Sequence, residues 1–126
     1  MKLLPILVAL IFFSSAVSGQ DAQLDAVRKK MQANDLAGAK ADLTKFLDSN
    51  PKSKAALNLR GQVRAGLNDY YGAIGDFNYA LESDSTFAEA LNNRGEAKLA
   101  LGDDEGAIAD FDKAIRFNSK YTVAYT

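Results

Sequence analysis

One fragment recurs three times in this chain at a fixed interval of 34 residues, and that interval limits the possible folds more than any other feature. It reads Asn34-Asp35-Leu36-Ala37-Gly38-Ala39, then Asn68-Asp69-Tyr70-Tyr71-Gly72-Ala73, then Gly102-Asp103-Asp104-Glu105-Gly106-Ala107. The register holds beyond the fragment: Asp42, Asp76 and Asp110 keep the spacing, as do Leu43, Phe77 and Phe111. A period of this length is the signature of a stacked array, in which one supersecondary unit cannot bury its apolar face alone and about three must stack. The units run over 20–53, 54–87 and 88–121, and 122–126 reads as the start of an incomplete fourth.

Each unit reads as a helical hairpin. In the third, Ala90, Leu91, Ala97 and Leu101 form a stripe at helical spacing. Gly102 is placed to end that helix in the left-handed conformation, and Asn34 and Asn68 hold the same place earlier. Asp35, Asp69 and Asp103 are N-cap candidates for the second helix of each unit, and Asp104 and Glu105 add charge that suits its dipole. Ala107, Ile108, Phe111, Ala114 and Ile115 are expected to form its inward face. Small residues at Gly61 and Gly95, facing Ala73 and Ala107, let the helix axes approach closely, with Phe77 and Phe111 filling the space beside the contact. The first unit departs most: Val27 replaces the glycine, Phe46 stands where Ala80 and Ala114 stand, and Pro51 closes the unit.

The chain opens with an apolar run over 3–13, too short to span a bilayer, followed by small and polar residues. Residues 1–19 are expected to be a secretory signal peptide cut before Gln20 or Gly19. No later segment is long and apolar enough to span, so the product is expected to be exported, to the periplasm or beyond. Among 126 residues there is no cysteine, histidine or tryptophan. That composition removes Ser-His-Asp and Cys-His nucleophile arrangements, thiolate or imidazole zinc sites, and disulfides. No cofactor and no metal is expected, and the chain reads as non-enzymatic. The formal charge is −1, and Arg28-Lys29-Lys30 is the only basic run, so no nucleic-acid partner is expected.

This pattern resembles the tetratricopeptide repeat family. The second unit supplies Leu57, Gly61, Ala73, Phe77 and Ala80, and the third supplies Leu91, Gly95, Ala107, Phe111 and Ala114. Two departures stand out: the closing proline appears only as Pro51, and Arg64 and Lys98 stand where the family has an aromatic residue. The resemblance implies an all-α solenoid, a right-handed superhelix whose first helices line a concave groove for a peptide or protein. Carried over by position, the groove residues are Asn58, Leu59, Gln62 and Ala65 in the second unit, and Glu89, Asn92, Asn93, Glu96 and Leu99 in the third. Leu24, Arg28 and Met31 are their counterparts in the first. A groove that grips a terminal carboxylate would need polar or basic groups where Leu24, Leu59 and Glu89 stand, so that ligand is not expected. The glutamates and asparagines of the third unit suit a basic or hydrogen-bonding segment instead.

Other constellations have plainer readings. Asp103, Asp104 and Glu105 look like a metal cluster but fit helix capping. Asp76 and Asp110 could be a catalytic carboxylate pair, but their period assigns them one repeated structural role. Arg60 and Arg94 repeat with them, and a surface Asp76–Arg94 bridge between units is expected. The five tyrosines read mainly as packing residues. At the C-terminal end, Ile108, Phe111 and Ile115 are expected to be underprotected, which leaves open self-association through that face or a chain cut from a longer repeat protein. The sequence thus supports an interaction scaffold or adaptor, with an architectural subunit of a cell-envelope assembly as the alternative.

Overall fold

The computed structural model describes residues 19–118. They form six helices, all α, joined by short turns: α1 over 19–32, α2 Leu36–Ser49, α3 Lys54–Gly66, α4 Tyr70–Ser83, α5 Ala88–Ala100 and α6 Asp104–Phe117. Successive helices pair as hairpins, and α3 packs on α2 as α5 packs on α4, so the units stack into an α-solenoid. The signal-peptide reading of 1–19, except for residue 19, and the fourth-unit reading of 122–126 lie outside the described residues. No helix among the described residues is long and apolar enough to cross a membrane.

Within each hairpin one short sequence both stops a helix and starts the next. Asn34, Asn68 and Gly102 have φ of 62°, 66° and 85°. The left-handed residue lets the following aspartate N–H reach back to the carbonyl five residues earlier: Asp35 to Lys30, Asp69 to Arg64 and Asp103 to Lys98, at 2.8–2.9 Å. The same aspartate then accepts at Oδ1 from the N–H of Gly38, Gly72 or Gly106, each at 3.0 Å. A Cβ on any of those three glycines would collide with the capping carboxylate, which explains why glycine recurs there.

The core is continuous across units. Leu24, Val27, Leu43, Leu47, Leu57, Leu59, Val63 and Ala80 belong to one buried cluster, and Ala73, Phe77 and Ala97 to a second. Ala73, Ala80, Ala107 and Ala114 are fully buried at the helix contacts. Gly61 and Gly95 lie directly under Phe77 and Phe111: a Cβ on Gly95 would come within 2.6 Å of Phe111 Cε1, and one on Gly61 closer still to Phe77. The family-type small residues therefore act as seats for the rings.

Several expected core positions differ. Ile108 is 49% exposed, which departs from its inward-face reading and agrees with the expected underprotection of that end, and Leu101 is also exposed, so neither belongs to the interior of the third hairpin. Leu101 caps the end of α5 in the turn, and Ile108 is more exposed than its counterpart Ile74, which is half-buried against Ala73, Phe77 and Ala97. Phe111, expected to be underprotected, is buried because Gly95 of its own unit receives it.

Candidate functional site

The candidate groove lies between α3 and α5. Gln62, Asn93 and Glu96 border a pocket of about 400 Å³ together with Ala65, Tyr70 and Phe77. Glu96 is exposed, and Gln62 and Asn93 are half-buried. Tyr70 forms one wall, and its hydroxyl donates to Asn68 Oδ1 at 3.2 Å. Glu89 is exposed in the first turn of α5, outside the pocket lining. Leu99 is exposed nearly three turns further along the same helix.

The asparagines divide into two kinds. Asn58 is buried, and its Oδ1 accepts from Asn93 Nδ2 at 3.0 Å, tying α3 to α5. Asn58 is thus a clamp between units beneath the pocket, with no open groove surface. Asn92 Oδ1 is buried and has no hydrogen-bond partner among the described residues. A buried acceptor left unpaired costs on the order of 1–3 kcal/mol.

In the first unit, Leu24 and, in the second, Leu59 are buried core residues, and Arg28 is exposed and paired with Asp25 at 3.0 Å. Met31 packs against the core cluster. The positions that a terminal-carboxylate grip would need are therefore filled by apolar side chains turned inward and by Glu89.

The repeated Arg–Asp positions form buried ion networks. The expected Asp76–Arg94 bridge between units is not what forms. Arg60 grips Asp76 of its own unit through Nε at 2.9 Å and Nη2 at 2.8 Å, and Arg94 grips Asp110 at 2.8 and 2.7 Å. Both carboxylates are 2% exposed, so these are not surface pairs either. The arginines do link units, through Asn78 Oδ1 for Arg94 (2.8 Å) and Thr44 Oγ1 for Arg60 (3.4 Å). Arg64 and Lys98 supply a second cation at 3.1 and 3.0 Å. Sequence reasoning missed that role, although the signal was present: a basic residue replaces the family's aromatic in both units. Burial pushes the Asp110 carboxyl up, but Arg94 and Lys98 outweigh it and hold it below the usual carboxylate range. Asp76 in turn raises the Arg60 guanidinium. Two cations per buried carboxylate make a structural lock closed off from solvent.

Asp103, Asp104 and Glu105 sit at the start of α6, where Asp103 caps the helix. No group of three or more metal-ligating side chains occurs among the described residues.

Stacked helical hairpins with glycine-seated rings and a concave polar pocket define a helical-repeat solenoid. Tetratricopeptide repeat models match residues 24–86 and 88–121, and the chain belongs to that family. It is similar to the first TPR of Spaghetti (RPAP3) bound to HSP90 peptide SRMEEVD, with 21% identity, a TM-score of 0.75 and 78% of each chain covered. MamA is 27% identical, with a TM-score of 0.72, covering 79% of this chain and 58% of that one. The Sgt2 TPR domain from Aspergillus fumigatus is 20% identical, with a TM-score of 0.75, covering 79% of this chain and 66% of that one. No curated protein matches the sequence.

Proposed function

We propose that the chain is a non-catalytic interaction module that holds an extended, donor-rich segment of a partner protein, one carrying lysine or arginine, in the groove between α3 and α5. The observation that carries this reading is the pocket bordered by Gln62, Asn93 and Glu96, with Glu89 exposed in the first turn of α5. The charged residue of its lining is a carboxylate, Glu96, and Glu89 places a second on the same helix. The RPAP3 domain with the same fold was solved with a peptide bound, which supports a peptide role for this groove. That peptide is acidic at its end, and the residues present here favour the opposite charge.

Titration with a lysine- and arginine-containing peptide tests this. Glu96→Lys is expected to weaken binding by roughly tenfold, the loss associated with a charge-assisted hydrogen bond, while an acidic peptide binds no better than a scrambled neutral one. Equal binding by both peptides would remove the proposal. Export rests on the apolar run over 3–13 and is tested by N-terminal sequencing of protein recovered outside the cytoplasm, with Gln20 or Gly19 expected first. An architectural role has one observation in its favour: Ile108 is 49% exposed, whereas its counterpart Ile74 is half-buried against the cluster of Ala73, Phe77 and Ala97. Light scattering across concentrations tests it, with Ile108→Lys expected to abolish any assembly found.

A further inference from the structure

We infer that the first hairpin carries a receptor for a guanidinium group, filled by an arginine side chain of a partner protein. This site is separate from the groove between α3 and α5. In the second and third units, Arg Nη2 takes Oδ1 of the buried aspartate, and Arg Nε and a second cation share Oδ2. The first unit keeps the carboxylate, Asp42, and the second cation, Lys30, which bonds Oδ2 at 2.5 Å. It lacks the arginine, because Ala26 stands one period before Arg60. Asp42 Oδ1, the oxygen that Nη2 takes twice elsewhere, accepts no hydrogen bond among the described residues.

The missing side chain leaves space. A pocket of about 380 Å³ lies between α1 and α2, bordered by Gln23, Ala26, Asp42, Lys45, Phe46 and Asn50. The Asp42 side chain is 44% exposed there, against 2% for Asp76 and Asp110. Lys45 also borders the pocket, but its counterpart Lys113 stands at the same register in the third unit, where Arg94 still grips Asp110. A planar fork of N–H donors matches a carboxylate with one open oxygen better than an ammonium does, and Lys30 has already taken the other oxygen. Gln23 replaces Leu57 and Leu91 and gives the wall a polar group.

The test is a titration of isotope-labelled protein with N-acetyl-arginine-N-methylamide, followed by NMR. Shifts are expected at Ala26, Asp42 and Phe46, and the lysine analogue should bind roughly tenfold more weakly. Asp42→Asn should remove the shifts. Ala26→Arg should also remove them, while raising the unfolding midpoint in the Asp42 background and not in Asp42→Asn. Unchanged binding in Ala26→Arg would overturn the proposal, as would an arginine derivative that shifts residues outside this pocket only. Shifts at Ala26 and Asp42 that grow with protein concentration alone would place the arginine on a second copy and overturn the partner as its source.

Discussion

In the third hairpin Gly95 lies under Phe111 and Ala114 stands one turn on; in the first, the same positions hold Val27, Leu43 and Phe46. All but Phe46 are buried, and Phe46 packs against the core from a half-buried position. The two hairpins therefore fill one interhelical space by different partitions of volume. The later one gives the second helix a ring and the first helix no side chain; the earlier one shares the volume between two aliphatic residues and moves the ring outward. The electrostatics differ in parallel. Asp110 is buried between Arg94 and Lys98, whereas Asp42 is half-exposed beside Lys30 alone. The comparison teaches that packing tolerates substitution if total volume is conserved, while a buried carboxylate keeps its place only where two cations come with it.

The sharpest way to break the later arrangement is Phe77→Ala. It empties a fully buried ring site in the middle unit, and the cavity is expected to cost about 3–5 kcal/mol in chemical denaturation. In so short an array that loss should unfold neighbouring units with it, so one cooperative transition at lower denaturant is expected, and two separate transitions would contradict a shared core.

Gly95→Val comes next. Its Cβ would meet the Phe111 ring, and overpacking of this kind costs about 1–3 kcal/mol. The comparison supplies the rescue: Gly95→Val with Phe111→Leu copies the Val27–Leu43 pair and is expected to recover most of the loss. A double variant no more stable than the single one would show that the first hairpin's solution depends on Phe46 as well.

Much of this was legible in the sequence, and the exceptions share a cause. The turn residues, the capping aspartates and the Gly–Phe seats are local or lie within one hairpin, and the period located all of them. The partner of Asp76 was not legible, because Arg60 and Arg94 stand at similar separations from it and both repeat with it. Only the packing of α3 on α4 selects Arg60. Asn58 and Gln62 share a helix face, yet Asn58 is buried by Asn93 from the next unit, a contact of α3 with α5 that no single-helix pattern contains. Ile108 reads both as part of the inward face of α6 and as part of an underprotected end, and its exposure bears out the second reading, whereas its counterpart Ile74 is half-buried.

Removing the lock of the third hairpin has a smaller, pH-dependent effect. Asp110→Asn gives up charge-assisted bonds worth about 1.5–3 kcal/mol at neutral pH. The Asp110 carboxyl is held below its unfolded value of about 3.9. Its contribution is therefore fully present above that value and is lost as pH falls through the folded-state pKa. The gap between wild type and Asp110→Asn should stay constant from pH 7 to 5 and narrow below about pH 4. Asp84, held at about 2 by Lys54 and by Thr86, adds to the acid sensitivity of wild type in the same direction. Thermal melts across this range check the sign, and a gap that widens on acidification would contradict the lock.

The smallest expected effect lies in the turns. Asn34 and Asn68 adopt the same left-handed conformation as Gly102, at φ of 62° and 66° against 85°. A side chain there costs conformational energy that glycine avoids, so Asn68→Gly is expected to be neutral or to stabilise by a few tenths of a kcal/mol. Asn68→Ala keeps the Cβ and loses the amide's local hydrogen bonding, including the bond that Asn68 Oδ1 accepts from Tyr70, and should cost about 1–2 kcal/mol. The two substitutions move in opposite directions only if the turn geometry sets the cost. If both destabilise equally, the Tyr70 contact outweighs the backbone, and the hairpins then differ in how their turns are held as well as in how their cores are filled.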